Sequence, residues 1–135
     1  MEKEQLIELA KEAALRSYSP YSNFRVGAAV LCEGEHIATG ANIENASYGL
    51  CLCAERAAIS NAHAQGHTKI EAIALACIDA DIQVSDHELM PCGSCRQWIK
   101  ELAPKATIHI AGLEESFVID QLLPMSFSLD SHKDT

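Results

Sequence analysis

Three cysteines stand at the predicted starts of two different helices, and this arrangement restricts the fold more than any other feature of the sequence. Cys53 precedes the alanine-rich run "AERAAIS", and Cys92 and Cys95 open the run that ends in "RQWIKELA". A helix N-terminus offers unpaired N–H groups and a partial positive charge, which favour thiolate over thiol. Two such helix starts facing each other would gather three thiolates around one soft or borderline cation, and zinc suits that ligand set.

The number of cysteines in this cluster indicates what kind of zinc site it forms. Structural zinc sites take four protein ligands, whereas catalytic sites take three and keep one position open for water. Three cysteines without an obvious fourth partner favour the open, catalytic kind. A structural site with Cys51 or one of the six histidines as fourth ligand stays an alternative. A redox pair of Cys92 and Cys95 is a further alternative, but it gives Cys53 and Glu55 no role.

Two charged residues follow the first cysteine of the cluster, and each has a chemical use there. Glu55 stands two positions after Cys53 and can face the water of a catalytic zinc site without binding the metal. We expect it to act as general acid and base, taking a proton from that water and passing it to a substrate. Arg56 is predicted to donate hydrogen bonds to the thiolates, because three thiolates and one divalent cation leave a net negative charge.

Helical and strand patterns alternate along the chain, and their order predicts the fold class. The predicted elements are helices over 3–17, 54–65 and 95–103, strands over 25–33, 36–44, 69–79, 106–112 and 115–120, and a short helical turn over 121–124. This order favours an α/β fold with a mixed five-stranded sheet covered by helices on both faces, a three-layer α/β/α arrangement. We expect residues 1–135 to form a single domain with a frayed polar tail after Leu129.

Charge and composition restrict the partners of such a domain. The net charge of −9 argues against a protein that binds nucleic-acid phosphates through a basic surface. No apolar run reaches the roughly 18 residues that a membrane span needs, and the charged N-terminus has no apolar segment typical of a secretory signal. We therefore expect a cytoplasmic protein without membrane contact, in which the cysteines stay reduced.

Five stretches spread over nearly the whole chain form a recognisable collinear pattern. They are "YSPYSNFRVGAAV" at 18–30, "GANIENASYG" at 40–49, "CAERAAI" at 53–59, "PCGSCRQ" at 91–97 and "LLPMSF" at 122–127. The pattern resembles the small homotetrameric zinc-dependent cytidine deaminase family. The resemblance implies the cytidine deaminase fold and one zinc ion per chain, held by Cys53, Cys92 and Cys95. The implied reaction is hydrolytic deamination of free cytidine and deoxycytidine to uridine and deoxyuridine, releasing ammonia, in pyrimidine salvage.

The resemblance also implies roles for residues around the substrate. Phe24 corresponds to an aromatic residue that stacks on the pyrimidine ring. Asn42 and Glu44 match the pair that binds a ribose hydroxyl, and the backbone N–H of Ala54 would hold the pyrimidine carbonyl. Glu55 would protonate the ring nitrogen and then pass a proton to the leaving amine.

Other residues of the family pattern are implied to act across a subunit boundary. Ala46 and Tyr48 lie in a segment that approaches the active site of a neighbouring subunit, and Phe127 matches a C-terminal aromatic residue that closes a neighbour's pocket. The resemblance therefore implies a homotetramer with shared active sites, acting on a small nucleoside.

One departure from the family pattern concerns the range of substrates. Met90 stands before Pro91, where a small or polar residue is more usual, and this position lies near the leaving amine or a base substituent. A modified cytosine nucleoside or blasticidin S is therefore an alternative substrate. A non-catalytic zinc module that binds a protein partner is a rival from another class, but it leaves Glu55 and the ribose pair without a purpose.

Overall fold

Four helices and five strands make up the part of the chain that the computed structural model describes, residues 1–81 and 85–129. In chain order they are α1 (Lys3–Ala14), β1 (Val26–Cys32), β2 (His36–Ala41), α2 (Ala54–Ala64), β3 (Ile70–Cys77), α3 (Gly93–Leu102), β4 (Thr107–Ile110), β5 (Ser116–Val118) and α4 (Ile119–Leu122). Two short 3₁₀ helices, Tyr48–Leu50 and Asp86–Leu89, precede α2 and α3. Within the described residues, no helix has both the length and the apolar character to span a bilayer.

The strands form one mixed sheet in the order β2-β1-β3-β4-β5. β1 pairs antiparallel with both β2 and β3, β3 pairs parallel with β4, and β4 pairs antiparallel with β5. The β1–β2 hairpin turns through Gly34 and Glu35, which both have positive φ. The predicted mixed five-stranded sheet and the predicted hairpin are confirmed.

Helices cover both faces of this sheet. Successive residues of each strand point to opposite faces, so the apolar residues of one strand contribute to two separate cores. On one face, Ala29 and Leu31 of β1 pack with Leu6 and Ala10 of α1. On the other face, the alternate residues of β1 and β3 pack in a larger core with apolar residues from α2, α3 and α4. The predicted three-layer arrangement is confirmed, and α2 and α3 lie on the same face of the sheet.

Two glycines in the sheet allow helices to approach it closely. A Cβ atom on Gly27 would lie 1.9 Å from the carbonyl oxygen of Ala10 in α1, and one on Gly40 would lie 2.4 Å from the nitrogen of Ala58 in α2. Real Cβ atoms do not approach backbone atoms so closely, so a side chain at either position would push a helix away. Gly40 therefore helps to fix the position of α2, whose first residues belong to the cysteine cluster.

Several element boundaries differ from the sequence prediction. The first helix ends at Ala14 instead of residue 17, and β2 ends at Ala41, so Asn42 and Glu44 lie in the extended segment after the strand. There, Ile43 makes isolated bridges to Tyr18 and Leu52. The tail after Leu129 lies outside the described residues, and the single-domain organisation stays a prediction.

Candidate active site

The starts of α2 and α3 bring the three cysteines together. Cys53 is the N-cap residue of α2 and Cys92 is the N-cap residue of α3, while Cys95 is the third residue of α3. The Sγ atoms of Cys53 and Cys92 lie 3.8 Å apart, and those of Cys92 and Cys95 lie 3.5 Å apart. The prediction that two helix starts gather three sulfurs is therefore confirmed by the geometry.

The spacing of the sulfurs fits a tetrahedral zinc site. Zinc–sulfur bonds of about 2.3 Å at a tetrahedral angle place ligand sulfurs about 3.8 Å apart. All three Sγ atoms lie within 4.8 Å of one another, and no further Cys, His or acidic side chain in residues 1–81 and 85–129 joins the group. Cys51, the alternative fourth ligand, instead contacts the backbone of Asn45, at 3.3 Å from its nitrogen. The donor set thus fits zinc with one position left open.

Arg56 lies beside the cluster, and its charge-compensating role stays a prediction. Its Nη2 donates a hydrogen bond to the Sγ atom of Cys53 at 3.4 Å. Hydrogen bonds to Cys95, Arg56 and Cys92 together lower the pKa of Cys53 to about 5, while burial acts in the opposite direction. The bond to Cys53 raises the pKa of Cys95.

Glu55 is the one buried polar or charged residue in the described part of the chain, with 4 % of its surface exposed. Burial is the main cause that raises its pKa to about 7, and the nearby charge of Cys53 acts in the same direction. A carboxyl group with a pKa close to the pH of its surroundings can both accept and donate a proton. Its position, in the first turn of α2 beside the sulfurs, is suited to that use.

A small cavity of about 170 Å³ opens onto the sulfurs and Glu55. The cavity is bounded by residues from the loop before β1, from β1, from the segment after β2, from the start of α2, from β3 and from the segment that leads into α3. They are Phe24, Val26, Asn42, Cys53, Ala54, Glu55, Leu75, Cys77, Glu88, Met90 and Cys92. Predicted site residues from four separate stretches thus meet in one cavity, and Met90 lies in its wall beside Cys92.

Asn42 and Glu44 lie two residues apart, and their side chains contact the same loop, residues 18–24. The amide of Asn42 donates to the carbonyl oxygen of Phe24 at 2.9 Å. The carboxylate of Glu44 accepts the N–H groups of Tyr21 and Ser22 at 3.0 and 3.1 Å. Glu44 lies outside the cavity and instead lines a neighbouring pocket of about 340 Å³. Asn42 therefore lines the cavity beside the sulfurs, and Glu44 lines the second pocket.

The comparisons with known proteins agree with this site. The model of a family described as "Cytidine and deoxycytidylate deaminase zinc-binding region" matches residues 1–111. The chain is 39 % identical to the cytidine deaminase of Halalkalibacterium halodurans, over 99 % of this chain and 100 % of that protein. It is 42 % identical to the cytidine deaminase of Mycobacterium tuberculosis, over 90 % of this chain and 86 % of that protein. The chain belongs to the cytidine deaminase family.

A solved structure supports the same assignment for the fold. The crystal structure of cytidine deaminase from Burkholderia pseudomallei is similar, with a TM-score of 0.83 and 39 % identity. The match covers 94 % of this chain and 100 % of that one. The predicted zinc-dependent deaminase is thus confirmed at the level of the family and of the fold.

Cys77 and Glu88 line the cavity although the sequence motifs gave them no role there. Cys77 ends β3 and is half-buried in the cavity wall. Burial raises its pKa to about 11, so it is a neutral thiol at neutral pH. Glu88 reaches the cavity from the 3₁₀ helix before α3. The position of Cys77 at the carboxyl end of a central strand could have indicated a place in the cavity wall, because ligands often bind at the carboxyl ends of strands.

The three residues implied to act on a neighbouring subunit lie away from the cavity of their own chain. Ala46 is exposed, Tyr48 is 75 % exposed, and Phe127 is 68 % exposed. Gln97 of α3 donates to the carbonyl oxygen of Phe127 at 3.1 Å and holds this segment at the surface. Their roles stay predictions.

We expect Cys92→Ser to lose the metal, because a serine hydroxyl at neutral pH is a far poorer zinc ligand than a thiolate. The zinc content of the purified protein should fall from about one per chain to below about 0.2 per chain. The matched control is Cys51→Ser, which changes a cysteine near the site that lies outside the cluster and should keep its zinc. Full zinc in the Cys92→Ser protein would remove Cys92 from the ligand set.

Proposed function

We propose that this chain hydrolyses free cytidine and 2′-deoxycytidine to uridine and 2′-deoxyuridine, releasing ammonia, in pyrimidine salvage. The single observation that carries the proposal is the meeting of three sulfurs with one open position and a buried carboxyl group, Glu55, in a cavity walled by Phe24. This combination suits an attack by water on a flat heteroaromatic ring, followed by loss of an amine.

The sulfurs of Cys53, Cys92 and Cys95 would hold zinc, and when bound it supplies a Lewis acid that activates water next to the ring. Glu55 moves the protons. Its carboxylate would accept a proton from the attacking water and deliver it to N3 of the pyrimidine. It would then take the second proton from the added hydroxyl group at C4 and pass it to the amine, which leaves as ammonia. The raised pKa of Glu55 supports both directions of transfer.

The remaining cavity residues hold and orient the base. The ring of Phe24 offers a flat apolar surface for stacking on the pyrimidine. Ala54 is fully buried as the first residue of α2, and its N–H belongs to the helix start, where such groups have no partner within the helix. We expect that N–H to donate a hydrogen bond to the carbonyl oxygen of the base, which would fix the orientation of the ring relative to Glu55.

The hydrogen bonds of Asn42 leave one of its donors available to a sugar. An asparagine side chain has two N–H donors and about two acceptor positions on its oxygen. In the structure the oxygen accepts from the hydroxyl of Ser17 and from the N–H of Val26, and one N–H donates to Phe24. One donor remains for a ligand.

The hydrogen bonds of Glu44 leave one acceptor position of its carboxylate available to a sugar. A carboxylate accepts about four hydrogen bonds, and three positions are taken by the N–H of Tyr21 and by the N–H and hydroxyl of Ser22. One donor on Asn42 and one acceptor on Glu44 match a single hydroxyl group, which both accepts and donates. This supports recognition of one sugar hydroxyl, so that the second ribose hydroxyl is not required.

Recognition of a single sugar hydroxyl by Asn42 and Glu44 predicts how the rate depends on the sugar of the substrate. Cytidine and 2′-deoxycytidine should be deaminated with kcat/KM values within about tenfold of each other, while 2′,3′-dideoxycytidine should be slower by about 10- to 100-fold, because it leaves a charged acceptor without its donor. Initial rates from the loss of cytosine absorbance test this on the wild-type protein. Equal kcat/KM values for all three nucleosides would contradict the single-hydroxyl assignment.

Replacing the carboxyl group of Glu55 tests the proton transfer. Glu55→Gln keeps the size of the side chain but cannot carry the proton, so kcat for cytidine should fall by about 10²- to 10⁴-fold with zinc content unchanged. Glu88→Gln is the matched control, since it removes an exposed carboxylate from the same cavity, and it should keep kcat within about threefold. Turnover that survives in the Glu55→Gln protein would rule out this role.

We also infer that the chain forms a homotetramer with shared active sites. The support is a group of large apolar and aromatic side chains that are exposed near the two pockets. Tyr21, Tyr48 and Leu50 are at least half exposed beside Glu44, and the Tyr21 and Tyr48 rings contact edge to face with centroids 6.2 Å apart. Phe127 is exposed as well. A neighbouring copy would cover these surfaces.

Complementation tests whether subunits share a pocket. Phe127→Ala should raise KM for cytidine about tenfold, because the pocket of a neighbour loses an aromatic wall. Hybrid assemblies of Phe127→Ala and Glu55→Gln chains should recover low-KM turnover, since an intact Glu55 and an intact Phe127 then meet in one pocket. Sedimentation velocity gives the mass of the assembly. A fully active monomer would refute the shared site.

The compartment proposed for this enzyme is the cytoplasm. The ligand thiols must stay reduced to bind zinc, and the structure has all six cysteines free. The net charge of −9 further supports a free nucleoside rather than a nucleic acid as the substrate.

A further inference from the structure

The loop that carries Phe24 is held mainly by side chains rather than by strand pairing. Its backbone pairs with the segment after β2 only at Tyr18, which bonds to the backbone of Asn42 and Glu44. From Pro20 onward the loop turns outward, and Asn23 adopts a positive φ of 56°. A loop of this kind keeps a defined position only if side-chain bonds fix it.

The hydroxyl group of Ser22 lies at the centre of these bonds. It donates to Oε2 of Glu44 at 2.5 Å and accepts the N–H of Phe24 at 3.0 Å. The N–H of Ser22 itself donates to Oε1 of Glu44. One side chain therefore connects the carboxylate of the sugar subsite to the backbone of the aromatic residue in the base subsite.

We propose that Ser22 is a positioning residue: its hydroxyl holds the carboxylate of Glu44 and the backbone of Phe24 in a fixed relation, so that base and sugar subsites are aligned before the nucleoside binds. The proposal rests on the proposed function in that Phe24 and Glu44 are taken to contact the substrate. Ser22 itself touches neither the sulfurs nor Glu55.

The chemistry of Glu44 supports this arrangement. An ionised carboxylate is a stronger acceptor than a protonated one and can accept the three donors on its two oxygens. The hydroxyl of Ser22 is the main cause that lowers the pKa of Glu44, with the backbone N–H groups of Ser22 and Tyr21 adding to it. Ser22 thus orients the carboxylate and favours its ionised form.

Removal of this hydroxyl should affect binding more than the chemical step. Ser22→Ala leaves the N–H of Phe24 without its partner and frees one oxygen of Glu44, so the ring and the carboxylate lose their fixed relation. The sulfurs and Glu55 keep their places on α2 and α3. A loss of interactions that are equal in the ground and transition states raises KM and leaves kcat unchanged.

The test combines steady-state kinetics with two control variants. For Ser22→Ala we expect KM for cytidine to rise by about 3- to 30-fold, with kcat within about twofold and zinc content unchanged. Ser22→Thr keeps the hydroxyl at an exposed position and should restore KM to within about threefold of wild type. Ser19→Ala removes a hydroxyl of the same loop whose one partner among the described contacts is Ser17, and it should leave KM unchanged.

A measurement without turnover separates this proposal from the proposed function. In a ¹³C NMR titration, the pKa of Glu44 should rise in Ser22→Ala and stay at the wild-type value in Ser19→Ala. If the wild-type protein does not deaminate cytidine, the proposed function fails while the titration still tests the link from Ser22 to Glu44. An unchanged KM and an unchanged titration in Ser22→Ala would overturn the positioning role, and so would an equal rise of KM in Ser19→Ala.

Discussion

The crowding of three sulfurs at the starts of two helices is the constraint on which the rest of the structure depends. Thiolates within 4.8 Å of one another repel unless a cation and hydrogen-bond donors balance them. The fold provides this balance by placing α2 and α3 on one face of the sheet, so that both partial positive helix ends point at the cluster. Arg56 adds a full positive charge from within α2.

Burial of Glu55 follows from the same geometry. Because Cys53 is the N-cap of α2, the carboxyl group of Glu55 at the second position of that helix lies beside the sulfurs. Residues of β3 lie on its other side, and Glu55 is buried. The helix start, the nearby thiolate and the loss of water act on its pKa in different directions, and burial dominates. The site is therefore assembled around α2, whose distance from the sheet depends on Gly40.

The sequence allowed prediction of the sheet, the layers and the cluster, because these depend on periodicity and on where helices begin. Asn42 and Glu44 both contact the loop over residues 18–24, but they line different pockets. The bonds that these residues make with Ser22 and Phe24 could not be predicted, since they join side-chain oxygens to the backbone of a loop without periodicity. The cavity position of Cys77 escaped prediction because an apolar strand looks the same with or without a cavity at its end.

The cysteines of this chain differ in burial and in the pKa of their thiols, and their local surroundings cause these differences. Cys32 is 1 % exposed in the core, and burial raises its pKa, so it behaves as a small apolar residue. Cys77 touches the active cavity, yet its raised pKa keeps it neutral. Cys53, Cys92 and Cys95 lie at helix starts with their sulfurs within hydrogen-bonding distance of one another, and the pKa of Cys53 is lowered there. The position of a cysteine at a helix start therefore decides whether it can serve as a zinc ligand in this fold.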